Sequence, residues 1–254
     1  MNFSGSELVA MVGQYMWVFA RIGAMVAVAP IFGTRTVPAK VKIIITVIIS
    51  VAVVPMLVER PAVDPLSFAG LLVLVQEILI GALIGFSVSL VFDALITGGQ
   101  IVAQLMGLGF ASMMDPQHGV SVPVIGQFYT IIATLIFLAM NGHLLLIEMV
   151  VSSFQSLPIG VGLSRESFVG IALWGKWVFI GALMVALPAI VALLVVNIAF
   201  GVITRAAPQL NIFAVGFPIT ILFGFAVMVL TLPNFVDKFS QLLDELFSFL
   251  RQLS

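Results

Sequence analysis

Six apolar stretches recur along this chain, each long enough for a helix to cross a bilayer: Leu8 to Ala29, Val41 to Val58, Phe68 to Phe92, Val124 to Val150, Phe168 to Thr204 and Ile212 to Leu232. About 20 apolar residues suffice for one crossing. Charged residues make up 8% of the 254, against about 25% in soluble domains, so the chain reads as a polytopic membrane protein. Without cysteine there is no disulfide, thiolate metal site or cysteine nucleophile, and two histidines, His118 and His143, are too few for a histidine metal site. A formal net charge of -1 with no basic run points away from nucleic acid or an anionic membrane surface as a partner. The residues before Leu8 lack the basic side chains of a secretory signal, and Pro30 follows the cleavage-like Ala27-Val28-Ala29. The first stretch is therefore expected to be retained.

Breakers divide the stretches. Pro30, Gly33 and Pro38 end the first, and Arg35, Lys40 and Lys42 make the connection behind it the most basic in the chain. Gly70, Glu77, Gly81 and Gly85 fall in a narrow arc at the helical period. Gly81 and Gly85 form a small-xxx-small pair, so this face is expected to pack closely against protein. Asn141, Gly142 and His143 interrupt the fourth stretch, leaving one bent helix or two short ones. Phe168 to Thr204 is too long for one straight crossing, and Pro188 is expected to kink or divide it. Arg205 to Asn211, with Pro208, reads as a tight polar turn. From Asn234 to Ser254, Phe235, Phe239, Leu242, Leu246 and Phe249 recur every three or four residues opposite a polar face. That pattern predicts a separate amphipathic helix, lying on a membrane interface or docked on a partner. Basic residues in the loops divide four against four, so charge bias does not orient the chain.

The run from Gln100 to Gln117 is apolar enough for a membrane, yet it carries or adjoins Gly98, Gly99, Gly107, Gly109 and Pro116. Each glycine costs a helix roughly 1 kcal/mol relative to alanine and a proline about 3, so the backbone is expected to leave helical geometry here. Irregular backbone at membrane depth is tolerated only where it is buried in protein or lines a water-filled path. A loop inside a pore satisfies that condition, and an ordinary membrane-edge connection escapes it by lying outside the hydrocarbon; both readings stay open here. As a pore loop its side chains suit a movable seal: Met106, Met113 and Met114 are flexible, Phe110 is bulky and the glycines permit hinging.

Arg21, Glu77, Asp93, Glu148, Lys176 and Arg205 lie within or beside apolar segments, where an isolated charge costs at least about 3 kcal/mol. Each needs a partner, as a proton or ion relay or as an interhelical or intersubunit ion pair. Their scatter, without helical spacing in any one segment, favours pairing. No zinc-protease, serine-hydrolase or P-loop motif is present, so the chain reads as a non-enzyme without ATPase machinery. A stand-alone secondary transporter would show matching halves with broken helices, and no such repeat is found.

The run from Asn197 to Pro218, Asn-Ile-Ala-Phe-Gly-Val-Ile-Thr-Arg-Ala-Ala-Pro-Gln-Leu-Asn-Ile-Phe-Ala-Val-Gly-Phe-Pro, closely resembles the C-terminal signature of the FliR family of flagellar type III export proteins. Gly107 to Pro116, Phe137 to His143, Ser153 to Gly160, Phe19 to Gly23 and Ala29 to Gly33 also resemble that family in order and spacing. The resemblance implies an all-helical subunit of a helical multi-subunit export gate, with residues 1–165 like FliP, 166–233 forming a FliQ-like hairpin and 234–254 the tail helix. Implied partners are FliP-like and FliQ-like subunits, FlhB and FlhA, with unfolded flagellar proteins as substrates and no cofactor. Implied location is the bacterial inner membrane at the flagellar basal body, the core extending towards the periplasm. An injectisome export-gate homologue would share fold and role. Residues 100–121 correspond to the family's plug loop, which makes Met106, Gly107, Gly109, Phe110, Met113, Met114, Asp115 and Gly119 gate candidates. Glu77, Gly81, Gly85, Arg205, Pro208 and Asn211 are candidates for subunit contacts or the tight helical turn.

Overall fold

Prolines and glycines set several of the helix ends in the computed structural model, which describes residues 5–57, 63–108, 124–207 and 212–253. The described elements are helical and include no strand: α1 (Gly5–Val28), α2 (Ala39–Val53) continuing into a 3-10 turn (Val54–Met56), α3 (Phe68–Leu105), α4 (Val124–Ala139), α5 (Gly142–Ser156), α6 (Arg165–Trp174), α7 (Lys176–Ala206) and α8 (Ile212–Leu253). Among the described residues four helical stretches are long and apolar enough to cross a membrane, and α4 with α5 would add a fifth as one broken span. Pro38, extended at ψ 144°, starts α2, and Pro55 lies in the turn that ends it. Asn141 takes the left-handed conformation at φ 58°, so the fourth stretch is two helices.

Contacts gather the chain into two units. The first comprises Met1–Ser89, Phe137–Trp174 and Glu245–Ser254, and the second Leu90–Ile136 and Gly175–Asp244. In the first, Trp17, Ile22, Met25, Ile80 and Leu146 form a buried core. The small-residue pair on α3 accepts the backbone of α1: a β-carbon at Gly81 would collide with the Arg21 carbonyl, and one at Gly85 would lie 2.8 Å from the Met25 carbonyl oxygen. That face is filled from within the chain. Gly81→Ala is expected to cost about 1–3 kcal/mol, because backbone cannot yield as a side chain can. Gly201 on α7 meets nothing within 4 Å, so Gly201→Ala should add up to about 1 kcal/mol through helix propensity alone. Thermal unfolding of the chain purified in mild detergent separates the two; equal effects would contradict the packing difference.

In the second unit, Val91, Ala94, Leu95, Val102 and Ala103 form the buried face of α3. Here the expected departure from helix at Gly98 and Gly99 does not occur, since α3 runs on to Leu105. The two glycines serve close packing instead. A β-carbon at Gly98 would stand 3.0 Å from the Ala182 carbonyl oxygen, and one at Gly99 would stand 2.9 Å from the Gly126 Cα. The propensity cost of about 1 kcal/mol per glycine is offset by backbone approach that no larger residue permits.

Two further expectations are corrected. The long fifth stretch divides at Gly175, and Pro188 sits inside α7. A proline removes one backbone donor, and packed neighbours such as the buried Val185 and Ala189 hold the helix together around it. The C-terminal tail is not a separate helix. Residues 234–253 continue α8 through Pro233, and the apolar stripe is buried inside the chain rather than spread on a membrane interface or a partner. Phe235 lies 5.0 Å from Tyr129 between ring centroids and Phe239 meets Phe92 edge-on at 5.6 Å, both in the second unit. Phe249 stacks on Trp174 at 6.2 Å in the first. An amphipathic period states that a face is buried but not against what.

Candidate functional site

Where α3 ends, the geometry is a complete glycine cap. Gly107 adopts φ +79°, its N–H donates to the Gln104 carbonyl at 3.0 Å, and the Leu108 N–H donates to the Ala103 carbonyl at 2.9 Å. These two bonds are the paired closure of a Schellman motif, which needs a left-handed residue at the position that Gly107 occupies. A β-carbon there would also stand 2.7 Å from the Phe217 ring. Met106 is fully buried against Gly224. Both gate candidates at the start of the run are thus parts of a packed helix end. Gly109, Phe110, Met113, Met114, Asp115 and Gly119 lie outside the described residues.

The second polar feature is in the first unit. Arg21 and Glu77, both 0% exposed, form the one ion pair among the described residues, with Nε donating to Oε2 at 2.6 Å. Arg21 Nη1 donates to the Ser153 carbonyl at 2.9 Å and to Ser153 Oγ at 3.1 Å, and Nη2 donates to the Leu157 carbonyl at 2.9 Å. The guanidinium also stacks over the Phe154 ring, 4.1 Å from its centroid. Arginine's planar fork can satisfy several acceptors at once, which is what a buried cation needs. One side chain from α1 thereby ties α3 to the end of α5. Glu77 Oε1 has no partner among the described residues.

The remaining charges are arranged differently. Asp93, Glu148, Lys176 and Arg205 are exposed and make no ion pair with another described residue. Arg205 stands in the last turn of α7, where a cation suits the carbonyl end of the helix. Pro208 and Asn211 lie outside the described residues. Sequence reasoning placed Arg21 among the charges needing partners but missed Ser153 and Leu157. Two of the three acceptors are main-chain carbonyls, which leave no side-chain signature, and the Ser153 to Gly160 run stands out in the sequence only by its resemblance to the family.

Exposed apolar side chains cover long faces, among them Phe179 (70%), Val195 (63%) and Leu230 (77%). Patches of this extent mark lipid or protein contact. Among the described residues, a buried ion pair inside one unit, a capped helix leading into the glycine- and methionine-rich run, and large exposed apolar faces fit a subunit of a membrane assembly. Residues 12–246 match the model of the family described as bacterial export proteins, family 1. The chain is 39% identical to the flagellar biosynthetic protein FliR of Pectobacterium carotovorum subsp. carotovorum over 100% of this chain and 99% of that protein. It is 36% identical to FliR of Escherichia coli (strain K12) over 100% and 97%, and 29% identical to FliR of Bacillus subtilis (strain 168) over 88% of each. The chain belongs to the FliR family of bacterial export proteins.

Proposed function

We propose that this chain is a non-catalytic core subunit of the flagellar type III export gate, and that the run after Gly107 seals the channel through which unfolded flagellar proteins leave the cell. The observation that carries the reading is the end-to-end match to flagellar biosynthetic proteins named FliR. The flagellar names of these relatives support this role over that of an injectisome homologue. On this reading FliP-like and FliQ-like subunits cover the exposed apolar faces, FlhB and FlhA lie beyond them, and the assembly sits in the inner membrane with its core raised towards the periplasm. Phe110, Met113 and Met114 supply a compliant apolar plug, since an apolar constriction stops ions by excluding water.

Native mass spectrometry of the chain expressed alone and with its FliP-like and FliQ-like neighbours tests the assignment. A large complex holding this chain is expected; a stable monomer that ignores those neighbours would overturn it. Arg205, exposed at the end of α7, is assigned a polar contact to a neighbouring subunit. Arg205→Ala should lower recovery of the complex while costing the isolated chain no more than about 1 kcal/mol at the helix end, and unchanged co-purification would count against that contact.

A further inference from the structure

The exposed side of α3 changes character along its length. From Phe68 to Phe86 it presents Phe68, Leu72, Val75, Leu79 and Phe86, all apolar. The helix rises about 27 Å from Phe68 to Phe86, close to the roughly 30 Å of a bilayer's hydrocarbon. Beyond them the same helix presents Asp93, Thr97, Gln100 and Gln104, spaced by four, three and four residues and hence on one face. Asp93 and Gln104 are exposed, and Thr97 and Gln100 are half-exposed. None of the four side chains bonds to another described residue. The opposite face of this segment is apolar and buried, with Leu95, Val102 and Ala103 at 0% exposure. A polar row on an otherwise apolar helix cannot face lipid, where the carboxylate alone would cost at least about 3 kcal/mol. The row also runs directly into the Gly107 cap, where the proposed plug begins.

We infer that Asp93, Thr97, Gln100 and Gln104 form a wetted face of α3 that lines the water-filled path on one side of the plug. The inference rests on the export-subunit reading and names the surface along which a polypeptide in transit, itself a string of peptide donors and acceptors, travels. Hydroxyl and amide groups suit such a surface because they exchange bonds with water and with any passing sequence, without a fixed geometry.

The chain contains no cysteine, so single cysteines report their own surroundings. In membranes carrying the full complex, Thr97→Cys and Gln100→Cys should react with a membrane-impermeant maleimide about tenfold or more faster than Leu187→Cys and Val191→Cys, because only a hydrated thiol ionises readily. Asp93→Cys and Gln104→Cys extend the series, and co-purification of the neighbouring subunits is scored in the same strains. Protection of Thr97→Cys and Gln100→Cys in a complex of normal composition would overturn the wetted face and leave the subunit reading standing. Fast labelling in a chain that recruits no neighbours would keep the wetted face and overturn the export reading. Protection in a chain without neighbours would overturn both.

Discussion

Removing Gly109 to Met114 is expected to raise ion leakage through the assembled gate on the order of tenfold or more, because a dewetted apolar constriction gives way to an open aqueous path. The boundary of the deletion matters. From sequence alone it would begin at Gly107, but Gly107 and Leu108 close the end of α3 through bonds to Gln104 and Ala103. Cutting there would uncap a packed helix and confuse loss of a seal with loss of fold. Leaving both residues in place confines the change to the proposed plug. Conductance of purified complexes in planar bilayers reads the effect, and native mass spectrometry checks the composition of the same preparation. A leak-free complex of normal composition would sink the seal.

The second large effect is expected at Arg21. Arg21→Leu strands the Glu77 carboxylate in a site that is 0% exposed, and breaking one side of such a pair costs about 3–5 kcal/mol. Glu77→Leu strands the guanidinium, whose bonds to Ser153 and Leu157 soften the loss. The double variant Arg21→Leu with Glu77→Leu should recover most of the stability, since well-packed apolar side chains often replace a buried ion pair without penalty. Thermal unfolding and motility together separate structure from chemistry. A stable double variant that still swims assigns the pair to holding α1, α3 and α5 together; a stable one that exports nothing would revive the proton-relay reading of Glu77.

Much of the fold was legible in residues whose physics is local. Gly81 and Gly85 announced a close helix contact, and the left-handed Asn141 followed by Gly142 announced a break. Where reasoning failed, a tertiary contact outweighed a local cost. Gly98 and Gly99 read as helix breakers because propensity counts only the helix they sit in. In the folded chain they are the points where Ala182 and Gly126 approach. Pro188 likewise read as a kink or a division of a long stretch; the division falls at Gly175 instead, and Pro188 lies inside α7. The gate candidates split the same way. Met106 and Gly107 are held by α3 and its cap, whereas the role of Phe110, Met113 and Met114 rests on chemistry and family resemblance.

The continuity of α8 bears on how the protein is made. Its last 19 residues, from Phe235 to Leu253, hold buried side chains of both units: Phe235, Phe239 and Leu242 in one, and Leu246 and Leu250 in the other. Ribosomes add about 5–20 residues per second and domains otherwise tend to fold from the N-terminus. Both units therefore take part of their buried surface from this one helix segment, and neither core is complete before it has been made. A chain that stops before Phe235 lacks the ring contacts that Phe92, Tyr129 and Trp174 make with Phe239, Phe235 and Phe249, and so exposes apolar surface in both units at once.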